Sequence, residues 1–164
     1  MSVNKHRPHL YVIPEDDAER RIAIGFVLRD GVDQRRVQVV AEAGGWLKVI
    51  ETFQKEYAPK LSNQHTHVVM LIDFDGIPMA RRTEFDNAIP EEYRSRVFVI
   101  GPKDEPEDFK KALNGISFEK IGATLASDCQ EDNIGTWGHE HLMHNEPDRK
   151  RLYDVVRPFL FPNV

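Results

Sequence analysis

The sequence predicts an α/β protein: a central, mostly parallel sheet of about four strands, flanked by helices and followed by a helical C-terminal extension. Three observations carry this reading. Short β-rich apolar runs recur with longer amphipathic segments between them, the alternation expected of βαβ units. The runs are almost continuously apolar, without the polar alternation of a half-exposed strand, which suits strands covered on both faces. The chain has 164 residues, which against a prior of about 150 residues per domain makes one domain with room for a real core.

The elements follow in order. Leu10 to Ile13 reads as the first strand. Ile22, Ala23, Phe26 and Val27 then form an apolar stripe opposite Glu19, Arg20 and Arg29, a helix. Val37 to Val40 is the second strand. Gly44-Gly45 opens a segment in which Leu47, Ile50, Phe53 and Tyr57 keep helical spacing, with Pro59 close to its end. Val68 to Ile72 and Val97 to Ile100 are the third and fourth strands. Beyond them Pro102 and Pro106 punctuate a charged loop, and the remainder is helical in pattern over Phe109 to Leu113, Ile116 to Leu125 and His141 to Leu160. Pro147 and Pro158 break this last stretch into short helices. Right-handed crossovers place ligand chemistry at the carboxyl ends of the strands. The expected organisation is one domain over residues 1–164, with a core of about 8–125 and an extension of about 126–164.

Composition narrows function. Hydrophobic residues at 40%, charged residues at 30%, 10 Gly and 10 Pro argue against disorder and low complexity. Apolar runs such as Val68 to Ile72 are far short of the roughly 20 residues of a membrane span, and Met1 to Arg7 lacks an apolar signal core. One cysteine, Cys129, forms no internal disulfide and no thiolate zinc site by itself. No membrane partner and a cytoplasmic location are therefore expected. A net charge of −5, from 22 basic and 27 acidic side chains, is the wrong sign for gripping nucleic acid over a whole surface. Contact with phosphates has to be local, through arginines or through cations held by carboxylates.

The most informative segment is Leu71-Ile72-Asp73-Phe74-Asp75-Gly76. An apolar strand delivers two aspartates into a glycine turn, and residues i and i+2 of a strand point the same way. Asp73 and Asp75 are thus expected to converge, and two close carboxylates repel unless a hard cation such as Mg²⁺ or Mn²⁺ lies between them. The first strand also runs into an acidic turn, Glu15-Asp16-Asp17-Ala18-Glu19. Asp16 and Asp17 suit the first turn of a helix, where acidic groups cap amides and oppose the macrodipole. Glu15, first past the strand, is placed to face the aspartates.

Strand-then-Glu15, the Gly44-Gly45 turn after the second strand, and strand-then-Asp73-x-Asp75 together resemble the Rossmann-like TOPRIM domain, and most of all the nuclease branch named for overcoming lysogenisation defect (OLD). The resemblance covers roughly residues 8 to 125. The family's first motif is usually Glu-Gly-x-x-Asp; here the Gly is lost and Glu19 stands in the place of the trailing Asp. The resemblance implies a Mg²⁺- or Mn²⁺-dependent nuclease acting on nucleic acid, DNA favoured, in antiviral defence and with a partner ATPase. It implies Glu15, Asp73 and Asp75 as catalytic metal ligands, with Glu19 a further ligand. It places Glu119, in Ser117-Phe118-Glu119-Lys120-Ile121-Gly122, at a second ion, with Lys120 or Lys103 as charge stabilisers. Arg81 and Arg82, just after the Asp-x-Asp turn, are placed to clamp phosphate oxygens, which guanidinium does bidentately. The chain has no Gly-x-x-x-x-Gly-Lys loop, so any ATPase is another protein.

Two other functions fit parts of the sequence. A catalytically silent TOPRIM-like binding subunit suits the altered first motif and the acidic surface. Asp73-Phe74-Asp75-Gly76 also resembles the first motif of haloacid-dehalogenase-like phosphatases, but that motif sits on the first strand and is followed by Thr, where this chain has Ile77. His139, His141 and His144 lack the i, i+4 spacing of a His-Glu-x-x-His zinc site and read as structural, as do His65 and His67 at the amino end of the third strand. Trp46 and Trp137 suit a core or partner-facing role.

Overall fold

The computed structural model describes residues 2–164. Strands β1 (His9–Pro14), β2 (Val37–Val39), β3 (Thr66–Leu71) and β4 (Val97–Ile100) form one sheet in the order β2-β1-β3-β4, and every pair is parallel. Val12 aligns with Val39 on one side and Val69 on the other. All residues of β1, β3 and β4 are buried, which explains their unbroken apolar sequence. β3 begins two residues earlier than its apolar run: Thr66 and His67 belong to it, and the Thr66 hydroxyl meets His9 Nε2 at 3.0 Å.

Helices lie on both faces. Leu10, Val12, Val37, Val69, Leu71 and Ile100 face α1 (Asp17–Val27), α5 (Phe118–Gln130) and the C-terminal segments. Ile13, Val68, Met70, Ile72, Val97 and Val99 face α2 (Trp46–Thr52) and α3 (Pro78–Ala88), where Phe53 and Phe85 are completely buried. Each such phenylalanine contributes about 1.5–3 kcal/mol by leaving water. The helix after Gly45 ends as α2 and continues through a π turn, Phe53–Tyr57, into a 3₁₀ turn around Pro59. α4 (Pro106–Ala112) follows β4.

α1 and α5 meet at two glycines. A Cβ on Gly25 would strike the Glu119 carbonyl oxygen, and one on Gly122 would strike that of Ile22. Backbone cannot retreat as a flexible side chain does, so Gly122→Ala is expected to destabilise the fold by about 1–3 kcal/mol. Chemical denaturation should show a lower midpoint with an unchanged slope.

β4 is an edge strand, and the C-terminal extension covers its open side. Asp148, on α6 (Glu146–Val155), accepts from the Val99 amide at 2.7 Å; Arg151 donates to the Val97 carbonyl at 3.2 Å. Asn145 brackets Gly101, accepting from its amide at 3.2 Å and donating to its carbonyl at 3.0 Å. Side chains thus satisfy the edge groups that otherwise invite another strand. α7 (Arg157–Leu160) completes the extension, which is broken into short helices as its prolines require. No helix among the described residues is long and apolar enough to cross a membrane.

Candidate functional site

The strand order decides where the site lies. From β1 the chain moves to β2 on one side, and from β3 to β4 on the other, so the topological switch point falls between the carboxyl ends of β1 and β3. Such crevices are where open α/β sheets bind ligands. Glu15 and Asp73 stand there. The Glu15 amide donates to the Leu71 carbonyl at 2.9 Å, extending the ladder one residue past β1, and its own carbonyl accepts from Gly44 at 2.8 Å. So held, Glu15 Oε2 accepts from the Asp73 amide at 2.7 Å. The Gly44-Gly45 turn thus belongs to the scaffold that fixes Glu15.

Asp73 and Asp75 do not converge as strand neighbours. β3 ends at Leu71, and Asp75 has φ 53°, the left-handed region, followed by Gly76 at φ 74°. The Asp75 amide turns back to Asp73 Oδ1 at 2.9 Å, an Asx-type turn. Its carboxylate meets Arg81 Nη2 at 3.1 Å and stays near enough to Asp73 and Glu15 to raise the proton affinity of both. The i, i+2 rule fails here because the strand stops before the second aspartate.

Glu19 takes the place beside Asp73. It is on α1, 1% exposed, and its Oε2 accepts from the Asp16 amide at 3.2 Å. Asp16 is the N-cap of α1 and Asp17 sits in its first turn. Asp16, Asp17, Glu19 and Asp73, with Glu105 and Glu107 from the loop and helix after β4, line an open pocket of about 610 Å³. Arg21 is the one basic residue on its wall.

Burial and mutual repulsion raise the proton affinity of the group. Glu19 is pushed up to about 8 by burial first, then by Glu15, Asp73 and Asp16. Burial, with Asp75, Glu15 and Glu105, pushes Asp73 up to about 7, against the Asp75 amide bond. Glu15 is also raised by burial, although the Asp73 amide and Arg81 oppose the shift. Three buried carboxyl groups therefore share one small region, with Arg81 opposing the shift of Glu15.

The remaining residues of interest have other partners. Glu119 forms a two-pronged pair with Arg21, at 3.0 and 3.1 Å, its side chain 45% exposed. Arg82 donates to the Val99 carbonyl at 2.9 Å and pairs with Asp148 at 3.2 Å, so it braces the β4 edge instead of facing the pocket. Arg81 is buried, stacked 3.8 Å over Trp46, and pairs with Asp75 and Glu84; its Nη1 has no hydrogen-bond partner. Lys120 and Lys103 are exposed. Trp137 is a core residue whose indole nitrogen donates to the Leu125 carbonyl at 3.2 Å. Glu105 escaped sequence reading because only the adjacency of β3 and β4 brings the loop after β4 to this edge; the charged run bracketed by Pro102 and Pro106 was its one signal.

The donor chemistry suits a hard divalent cation, being carboxylate oxygen throughout. The geometry as it stands is less complete: among the described residues, no three acidic, histidine or cysteine side chains are placed to hold a metal ion together. Backbone amides occupy one oxygen each of Glu15, Glu19 and Asp73, so a shared ion would draw first on their other oxygens.

No family model matches the chain, and neither do curated proteins or solved structures.

Proposed function

We propose that the chain is a metal-dependent nuclease, hydrolysing or nicking phosphodiester bonds of nucleic acid, DNA favoured, at the acidic pocket beyond β1 and β3. The observation that carries the reading is the meeting of Glu15 with Asp73 across neighbouring strands, with buried Glu19 beside them. An all-carboxylate cluster of raised proton affinity is stabilised by a divalent cation as well as by protons. The TOPRIM-like order of elements supports the same reading. Asp73, Glu15 and Glu19 would hold Mg²⁺ or Mn²⁺, which when bound supplies Lewis-acid activation of water and of the leaving oxygen. Asp75, tied to Arg81, shapes the turn that presents Asp73. A second ion at Glu119 would require Arg21 to release it. Glu105 and Glu107 on the pocket wall repel a bare phosphate backbone, which favours a partner protein, such as an ATPase, that delivers the nucleic acid.

One observation favours a second reading, a catalytically silent binding subunit: the carboxylates do not close around a point. Supercoiled plasmid incubated with the chain in Mg²⁺ or Mn²⁺, with an EDTA control, separates the two. Nicking that EDTA abolishes is the expected result. Metal binding by calorimetry without nicking favours the silent subunit, and a folded chain showing neither sinks the metal-site reading.

A further inference from the structure

The two faces of the sheet are filled to different degrees. On the α2–α3 face Ile13, Val68, Met70 and Ile72 are 0% exposed, whereas on the opposite face Val12 keeps 7%, Leu71 8% and Ile100 9%. These three lie beneath helices and line an apolar recess that is partly open to solvent. That space is a cavity of about 120 Å³ between the sheet, α1, α5 and the C-terminal helices, walled by residues such as Val12, Ala23, Phe26, Leu125 and Val156.

We propose that this cavity is a binding site for a small apolar molecule the size of a single aromatic ring. Its volume is close to that of a dry, apolar void of about 150 Å³ that takes up benzene. Water is a poor occupant, because the walls are almost wholly apolar and most of their polar side chains, Tyr153 excepted, are already engaged. Arg149 is held by Glu146 at 2.6 and 2.8 Å, and Arg157 donates to the carbonyls of Cys129 and Gln130 at 2.8 and 3.1 Å. The Trp137 indole is spent on Leu125, and burial pushes the Cys129 thiol up to about 11, so it stays neutral. A water molecule inside would find few of the two to four partners it needs, while an apolar ring would gain dispersion contacts the walls now lack.

α6 and α7 form one wall of the cavity, which is partly open to solvent and so accessible to a small molecule. Gly101 and Pro102 belong to the wall, and the Pro102 carbonyl holds the Phe74 amide at 3.0 Å, between Asp73 and Asp75. The cavity wall is therefore continuous with the loop after β4 that braces the acidic turn at the end of neighbouring β3.

The test is titration of the purified chain with benzene, followed by thermal unfolding and by backbone amide shifts. A saturable rise in Tm is expected, about 5–10 °C at a hundredfold excess over Kd, with shifts centred on Ala23, Leu125 and Val156 and reaching Phe74. Ala23→Leu fills the space and should keep or raise Tm while abolishing the benzene response; if it does not fold, Leu152→Phe fills the cavity from its roof. No saturable rise in the wild type, shifts confined to surface residues, or a filled variant that responds like the wild type would each overturn the proposal.

Discussion

Asp73→Asn is expected to lower plasmid nicking by about a thousandfold or more while leaving the chain folded. The substitution is nearly isosteric, and the asparagine carbonyl oxygen can still accept from the Asp75 amide, the 2.9 Å bond that sets the turn. What disappears is the negative charge at the switch point, where the proposed chemistry needs a ligand of high charge density. Asp75→Asn provides the comparison. Asp75 faces Arg81 and is 43% exposed at its side chain, so its loss should act through the turn and reduce the rate far less. Single-turnover nicking by both variants, with circular dichroism as the check on folding, measures the difference. Equal losses would mean that Asp75 reaches the reacting phosphate itself, and an unimpaired Asp73→Asn would remove Asp73 from the site.

The contrast between these aspartates also shows where sequence reasoning stops. Continuous apolar runs mark β1, β3 and β4 because parallel strands covered on both faces need no polar alternation, and those runs alone place Glu15 and Asp73 at strand ends. Parity along a strand then predicts that Asp75 joins Asp73, but β3 ends at Leu71 and the chain turns left-handed at Asp75, so a turn and not strand parity sets how the two lie. Glu19 reads as a secondary residue in sequence, yet the turn of α1 that follows Asp16 brings it under Asp73 and buries it. Arg82 resembles a phosphate clamp by its nearness to the motif. Its partners Val99 and Asp148 are distant in sequence, and only the packing of α6 on the edge of β4 reveals them. Glu105 depends on strand order in the same way. Local signals survive in the sequence, whereas whatever depends on which strand lies next to which emerges only from the fold.

Glu19→Gln is expected to stabilise the protein at pH 8 and above and to flatten its dependence on pH. Glu19 has an ordinary value of 4.5 and is pushed up to about 8 in the folded chain. Between those values the folded state binds more protons than the unfolded state, so stability falls as pH rises through this window and the cost is complete above about 8. For a carboxyl group 1% exposed the shift corresponds to about 3–5 kcal/mol, shared in part with Asp73, which is raised to about 7 by the same burial and the same neighbours. Wild-type Tm should therefore drop by about 10 °C between pH 5 and pH 9. The glutamine amide keeps an acceptor for Asp16 and carries no charge to bury, so the variant should lose most of that drop. Mg²⁺ or Mn²⁺ acts on the same balance from the other side: by stabilising the ionised carboxylates, either ion should restore wild-type Tm at pH 8 and do less for the variant. A wild-type Tm that is level across this range would show that Glu19 ionises without penalty, leaving the cluster no excess of negative charge for a cation to relieve.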